Sequence, residues 1–334
     1  MIRPPLLVFV LCLTLLAMAT LAPAGALANA PAQVGDRTPA DFSLLLAGRG
    51  VTIYLSEEEP DDATSTGDGD SAEGGEATAE PVLRRELMQV VDLSTGARLT
   101  LHHGPILERG NGDGIYGGPN PRIQRQYLET VWQVAADHAH AFCVSNGTFF
   151  LDMQNGARVD PTELSFPLKS DGLVVSEGNE HRRFRNARVM LELWSDHATI
   201  VPLSRQAFYS SDAPDVVVGL SPRASLRSLA RVGRSWIGTA DHDGDGLHEI
   251  LYLYSALAVT QSHAERVMRA FGAQAMLMLD GGGSTQLICE GDGYITQSRP
   301  LPQTLITLQA PPPPLPWPMP RVPIFGVGNS PTVE

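Results

Sequence analysis

The sequence predicts an α+β fold: a mixed β-sheet flanked by helices, in a single domain that carries a disordered acidic insertion. Three observations lead there. Of the 334 residues, 43% are hydrophobic and 18% charged, which suits one sizeable core and excludes a disordered chain. Apolar runs of strand length recur between polar turns, from residues 51–55 to 275–279. Twice, a helical stripe leads into such a run, which then ends in a polar residue followed by glycine.

The elements follow in chain order. Residues 1–28 read as a secretory signal peptide: Arg3 precedes an apolar run from Leu6 to Ala19, and small residues lead to a cleavage site after Ala28. An uncleaved anchor is the alternative, and only then is a membrane a partner. Either way the body faces the outside of the cell. Residues 29–43 form a leader. Residues 51–55 read as a strand, and 88–91 with 97–101 as two strands around the Ser94-Thr95-Gly96 turn. Between them, 57–82 is the insertion predicted to be disordered, poor in aromatics and rich in Gly, Ser, Thr and Ala. The domain runs over 44–310, and 311–334 is a Pro-rich tail.

The net charge is −13, from 24 Lys and Arg against 37 Asp and Glu. Ten of the acids lie between Glu57 and Glu80, and without them the charge is −3. The body is therefore near neutral, and a nucleic-acid partner living on phosphate contacts is excluded. Cys12 falls within the signal, which leaves Cys143 and Cys289 to form one disulfide or to stay as two buried thiols. No Cys/His spacing suits a structural zinc site.

In the first repeat, Ile123, Tyr127, Leu128, Val131 and Val134 form the stripe, 141–145 the strand, and Asn146-Gly147-Thr148-Phe149-Phe150 its end. In the second, Ala264, Val267, Met268 and Phe271 fall at i, i+3, i+4 and i+7, and Gly272 sits at the C-cap. The strand 275–279 follows and ends in Asp280-Gly281-Gly282-Gly283-Ser284-Thr285. Ligands gather at such strand ends, so the two motifs are expected to share one cleft. Glycines let a backbone approach a ligand and aim amides at an anion, and Ser284 and Thr285 add hydroxyls. A tight turn capped by Asp280 is the competing reading.

These motifs resemble the paired signatures of the phosphodiester glycosidase family. Asp171-Gly172-Leu173-Val174-Val175, Arg234-Ser235-Trp236-Ile237-Gly238 and Arg299-Pro300-Leu301-Pro302 match further family segments in order, over about residues 47–308. Thr148 stands where a second glycine is usual. The resemblance implies a secreted hydrolase that cleaves a sugar-1-phosphodiester to free sugar and phosphomonoester. In that reading Asp280 is the nucleophile or base, and Asn146 holds a sugar group at the catalytic centre. Gly147, Gly281, Gly282, Gly283, Ser284, Thr285 and Arg234 bind substrate or phosphate. A phosphomonoester leaves readily, its second pKa being about 6. The rival is a non-catalytic surface module that binds phosphorylated glycans. Lys169, the only lysine, is expected at the surface, with phosphate contact as the alternative.

One further motif is independent of these. Asp241, Asp243, Asp245 and Glu249 occupy positions 1, 3, 5 and 9 of a loop with Gly246 at position 6. Hard oxygen donors in that pattern suit a structural calcium ion, while a metal-free polar turn is the alternative. No organic cofactor is expected.

Overall fold

The computed structural model describes residues 39–58, 84–108, 124–154, 156–179 and 183–313. The signal peptide, most of the leader and of the acidic insertion, and most of the Pro-rich tail lie outside the described residues. All described residues fall in one compact unit, Arg37–Glu334. The strand Val51–Glu58 takes in Glu57 and Glu58, which pair with Arg85 and Arg84, so the insertion starts later than the charge run suggests.

Two antiparallel sheets face each other. The larger runs in the order Ser43–Gly48, Val51–Glu58, Arg84–Asp92, Ile250–Val259, Val232–Ala240, Ala275–Met278, Asp215–Leu220, Leu168–Ser170 and Leu173–Ser176. Arg188–Leu193 also pairs with Asp215–Leu220 and carries Ala198–Pro202. The smaller sheet runs Asp292–Ile295, Leu287–Cys289, Cys143–Asn146, Gln303–Leu308 and Arg98–His103. The inner faces meet in one core, in which Ile237, Leu253 and Leu277 of the large sheet pack with Leu99, Leu305 and Cys289 of the small one. Side chains alternate along each strand, so one face of each sheet supplies this layer.

Helices cover parts of the outer faces. Helix α1 (Val131–Asp137) opens on a capping box between Thr130 and Gln133, and packs Val131 and Val134 against Val144, Ile288 and Ile306 of the small sheet. Helix α2 (Arg205–Ser210) is short. Helix α3 (Gln261–Phe271) buries Ala264, Val267, Met268 and Phe271, the stripe predicted from the sequence. It ends at Gly272, whose φ of 108° is the left-handed C-cap conformation. It lies so close to the large sheet that a Cβ on Gly238 would stand 2.7 Å from Met268 Cε.

Two expectations are corrected here. Every strand pairing among the described residues is antiparallel and helices are few, so the fold is mostly β and not a mixed sheet flanked by helices. The two strands expected around Ser94-Thr95-Gly96 are present, and a short 3₁₀ turn between them carries the chain from the large sheet to the small one. Of the first helical stripe only the second half is helix, because Gln124–Gln126 is a strand of a separate three-stranded sheet. Cys143 and Cys289 face each other across adjacent strands and form a disulfide. Among the described residues no helix is long and apolar enough to cross a membrane.

Candidate active site

The two glycine motifs converge although they belong to different sheets. Asn146 ends its strand in the small sheet, and its side chain is almost fully buried. Its Nδ2 donates to the Asp280 carbonyl at 2.7 Å, and its Oδ1 accepts from Ser235 Oγ at 2.7 Å and from the Gln286 amide at 3.2 Å. The Asp280 amide donates to the Gly147 carbonyl in return, at 3.2 Å. Asn146 is thus a clip between the motifs, its amide engaged by Asp280, Ser235 and Gln286 inside the protein. Gly147 is explained by sterics, since a Cβ there would stand 1.6 Å from Gln303 Oε1. The Thr148 hydroxyl donates to the Val218 carbonyl at 2.6 Å, a bond that glycine could not make.

Asp280 lies on the floor of a cleft of about 280 Å³, beside Gly281 to Gly283, Phe149 and Arg299. The residue as a whole is half-buried, and its Oδ1 accepts from the Gly281 amide at 3.0 Å. Burial raises its pKa from 3.8 to about 6, against the opposing pull of the Ser284 hydrogen bond, Arg299 and the Gly281 amide; Asp152 adds a further push upward. Desolvation outweighs those pulls, yet the group is still mostly ionised at pH 7.

Each glycine of the loop has its own reason. A Cβ on Gly281 would stand 2.5 Å from the Gly233 carbonyl oxygen, so two backbones touch there. Gly282 has φ of 60° and faces open space. Gly283 sits under the Arg299 guanidinium, 3.3 Å from where a Cβ would be. Ser284 is fully buried, and its Oγ accepts from Arg299 Nη1 at 3.1 Å. Thr285 is fully buried too, and its Oγ1 lies 3.4 Å from Ser235 Oγ. Neither hydroxyl faces the cleft freely.

The expected phosphate ligand, Arg234, has other employment. It lines the cleft wall, but its guanidinium donates to the carbonyls of Leu226, Arg227, Ala230 and Val259. Three of its five N–H groups therefore pin the loop that forms one side of the cleft, and a fourth bonds the end of the strand Ile250–Val259. The cation at the glycine loop is Arg299, held on its other side by Asp152 Oδ2 at 3.1 Å. Arg299 was visible only as a motif residue, and nothing in the sequence marked Asp152. Lys169 is buried, with Nζ donating to the Ser211 carbonyl at 2.8 Å, and is neither a surface residue nor part of the cleft.

The acidic loop brings Asp241, Asp243 and Glu249 together, with one oxygen from each within 4.8 Å of the others; Asp245 is outside this group. Asp241 also accepts from the amides of Gly244 and Gly246, and Asp245 from that of Leu247, so the carboxylates cap their own turn. Three of the four predicted ligands could hold a metal ion.

Fold and cleft together define a two-sheet antiparallel β-sandwich with a carboxylate and a glycine loop where the sheets meet. One similar solved structure is the zebrafish N-acetylglucosamine-1-phosphodiester alpha-N-acetylglucosaminidase catalytic domain, auto-inhibited by its pro-peptide. It has 15% identity and a TM-score of 0.49, covering 83% of this chain and 92% of that one. Another is a Burkholderia pseudomallei protein described as exported, with 14% identity and a TM-score of 0.49, covering 81% of this chain and 97% of that one. No family model matches the chain, and no curated protein matches it in sequence.

Proposed function

We propose that the chain is a secreted glycosidase that hydrolyses a sugar-1-phosphodiester to free sugar and a phosphomonoester. The observation that carries this reading is the Asp280 carboxyl on the cleft floor with Arg299 and the glycine loop beside it. The bond between the anomeric carbon and the ester oxygen breaks, its electrons leave with the phosphate, and water supplies the new hydroxyl. Asp280 acts in its ionised form, attacking the anomeric carbon or taking the proton of the water. Arg299 is the cation positioned to receive the departing phosphate, and Gly282 leaves space where that group would sit. Arg234 shapes the cleft by holding its loop.

The Cys143–Cys289 disulfide supports an oxidising compartment, and with it the signal-peptide reading. Asp241, Asp243 and Glu249 support a structural calcium ion that closes the turn before the strand Ile250–Val259.

The test is release of reducing sugar and phosphomonoester from a panel of hexose-1-phosphate methyl diesters by the purified chain. Turnover that falls at least about a hundredfold in Asp280→Asn is expected, as for loss of a principal catalytic group. Binding of these diesters without turnover would instead establish the non-catalytic binding module.

A further inference from the structure

A histidine cluster lies under the C-terminal end of α1, on residues that the cleft does not use. Leu99 and Leu101 of the edge strand Arg98–His103 point into the core between the sheets, so His102 stands on the opposite face, the one α1 covers. His138 is the C-cap of α1. His102 Nε2 is 2.8 Å from Glu129 Oε2, and His102 Nδ1 is 3.1 Å from His138 Nε2. The exposed His140 ring is centred 6.0 Å from that of His138.

The carboxylate fixes the chemistry of this chain of groups. An ionised Glu129 can only accept, so His102 carries a proton on Nε2 and its Nδ1 presents a lone pair toward His138. Two ring nitrogens this close share either one proton or one cation. In a tetrahedral centre, metal–nitrogen bonds of about 2.0–2.1 Å place two ligand nitrogens about 3.3 Å apart. The pair is therefore near coordination spacing already. A carboxylate behind the first imidazole is also the arrangement that orients metal-binding histidines and strengthens them as donors.

We propose that His102 and His138 bind a divalent transition-metal ion, with Glu129 orienting His102 from behind. Imidazole donors select the class: Cu²⁺, Ni²⁺ and Zn²⁺ suit them, whereas calcium prefers oxygen. Half-exposure of the site leaves water, or the nearby His140, to complete the coordination.

The test titrates the purified full chain, stripped by chelator, with Zn²⁺ and separately with Cu²⁺, followed by calorimetry in excess calcium so that the acidic loop does not compete. One equivalent should bind near pH 7.5. Binding should vanish in both His102→Ala and His138→Ala, and weaken at least about tenfold in Glu129→Gln. No heat at millimolar metal, or binding unchanged by His102→Ala, would overturn the proposal. If the alanine variants do not fold, substoichiometric Cu²⁺ added to the parent should broaden the His102 and His138 ring signals first. Broadening confined to other histidines would count against the site.

Discussion

Replacing Asp280 with asparagine should abolish hydrolysis and at the same time stabilise the chain. The carboxyl titrates near 3.8 when unfolded and at about 6 when folded, burial being the main cause. A group that holds its proton more tightly in the folded state contributes stability that is fully present below the unfolded pKa. That stability is lost as the pH rises through the folded one. The loss over this window is about 3 kcal/mol, at 1.36 kcal/mol for each tenfold change in proton affinity. Asparagine does not titrate, and its amide oxygen can still accept from the Gly281 amide. The unfolding free energy of Asp280→Asn should therefore gain on the parent by up to about 3 kcal/mol between pH 3.5 and pH 7.5. Urea denaturation at both pH values measures it, and thermal melts should show about 2–4 °C per kcal/mol for a body of this size. Other groups titrate in both proteins and cancel in the comparison. A gap that is the same at both pH values would refute the argument, because the carboxyl would then titrate as it does unfolded.

Other perturbations separate the roles of neighbouring residues. Gly281→Ala puts a methyl 2.5 Å from the Gly233 carbonyl and should cost about 1–3 kcal/mol in a urea melt, whereas Gly282→Ala meets no atom and pays only for its positive φ, about 1 kcal/mol. Asp152→Asn removes a charge that holds Asp280 up, so the acid limb of the pH–rate profile should move to lower pH; a freed Arg299 should raise KM. Asn146→Ala leaves the Ser235 hydroxyl and the Gln286 amide without their acceptor, and should lower stability by about 2 kcal/mol or more. Calcium should raise the melting temperature of the parent and leave that of Asp243→Ala unchanged, as scanning calorimetry can show.

Local features were legible in the sequence, and partnerships were not. The α3 stripe, its Gly272 cap and the following apolar strand appear where the 3.6-residue period and the glycine put them. The meeting of the Asn146 and Asp280 motifs was also readable, since both end buried strands. Periodicity, however, tells which side of a strand is buried and not which strand lies beside it, or in which direction. A helix before each strand suggested crossovers in one mixed sheet, yet the two strands belong to different antiparallel sheets. Polar residues near glycines were read as ligands because they stand next to the motif. Asn146 instead bonds backbone where the two sheets meet, and Arg234 bonds the carbonyls of the loop 226–230 beside its own strand. Asp152, which does reach the cleft's cation, lies 147 residues from Arg299 and carries no local mark. His102 and His138 are 36 residues apart, too far for any spacing motif.

The disulfide changes how far apart the halves of the site are along the chain. Asn146 and Asp280 are separated by 134 residues, but Asn146 is three residues from Cys143, and Asp280 nine from Cys289. Through the bridge the two meet across a path of about a dozen residues. Once oxidised, even an unfolded chain keeps both motifs at the neck of a single covalent loop, and the entropy of closing that loop, about 5 kcal/mol in the chain-entropy model, no longer opposes folding. A long-range encounter becomes a local one, so assembly of the cleft is tied to the first oxidising environment the chain enters.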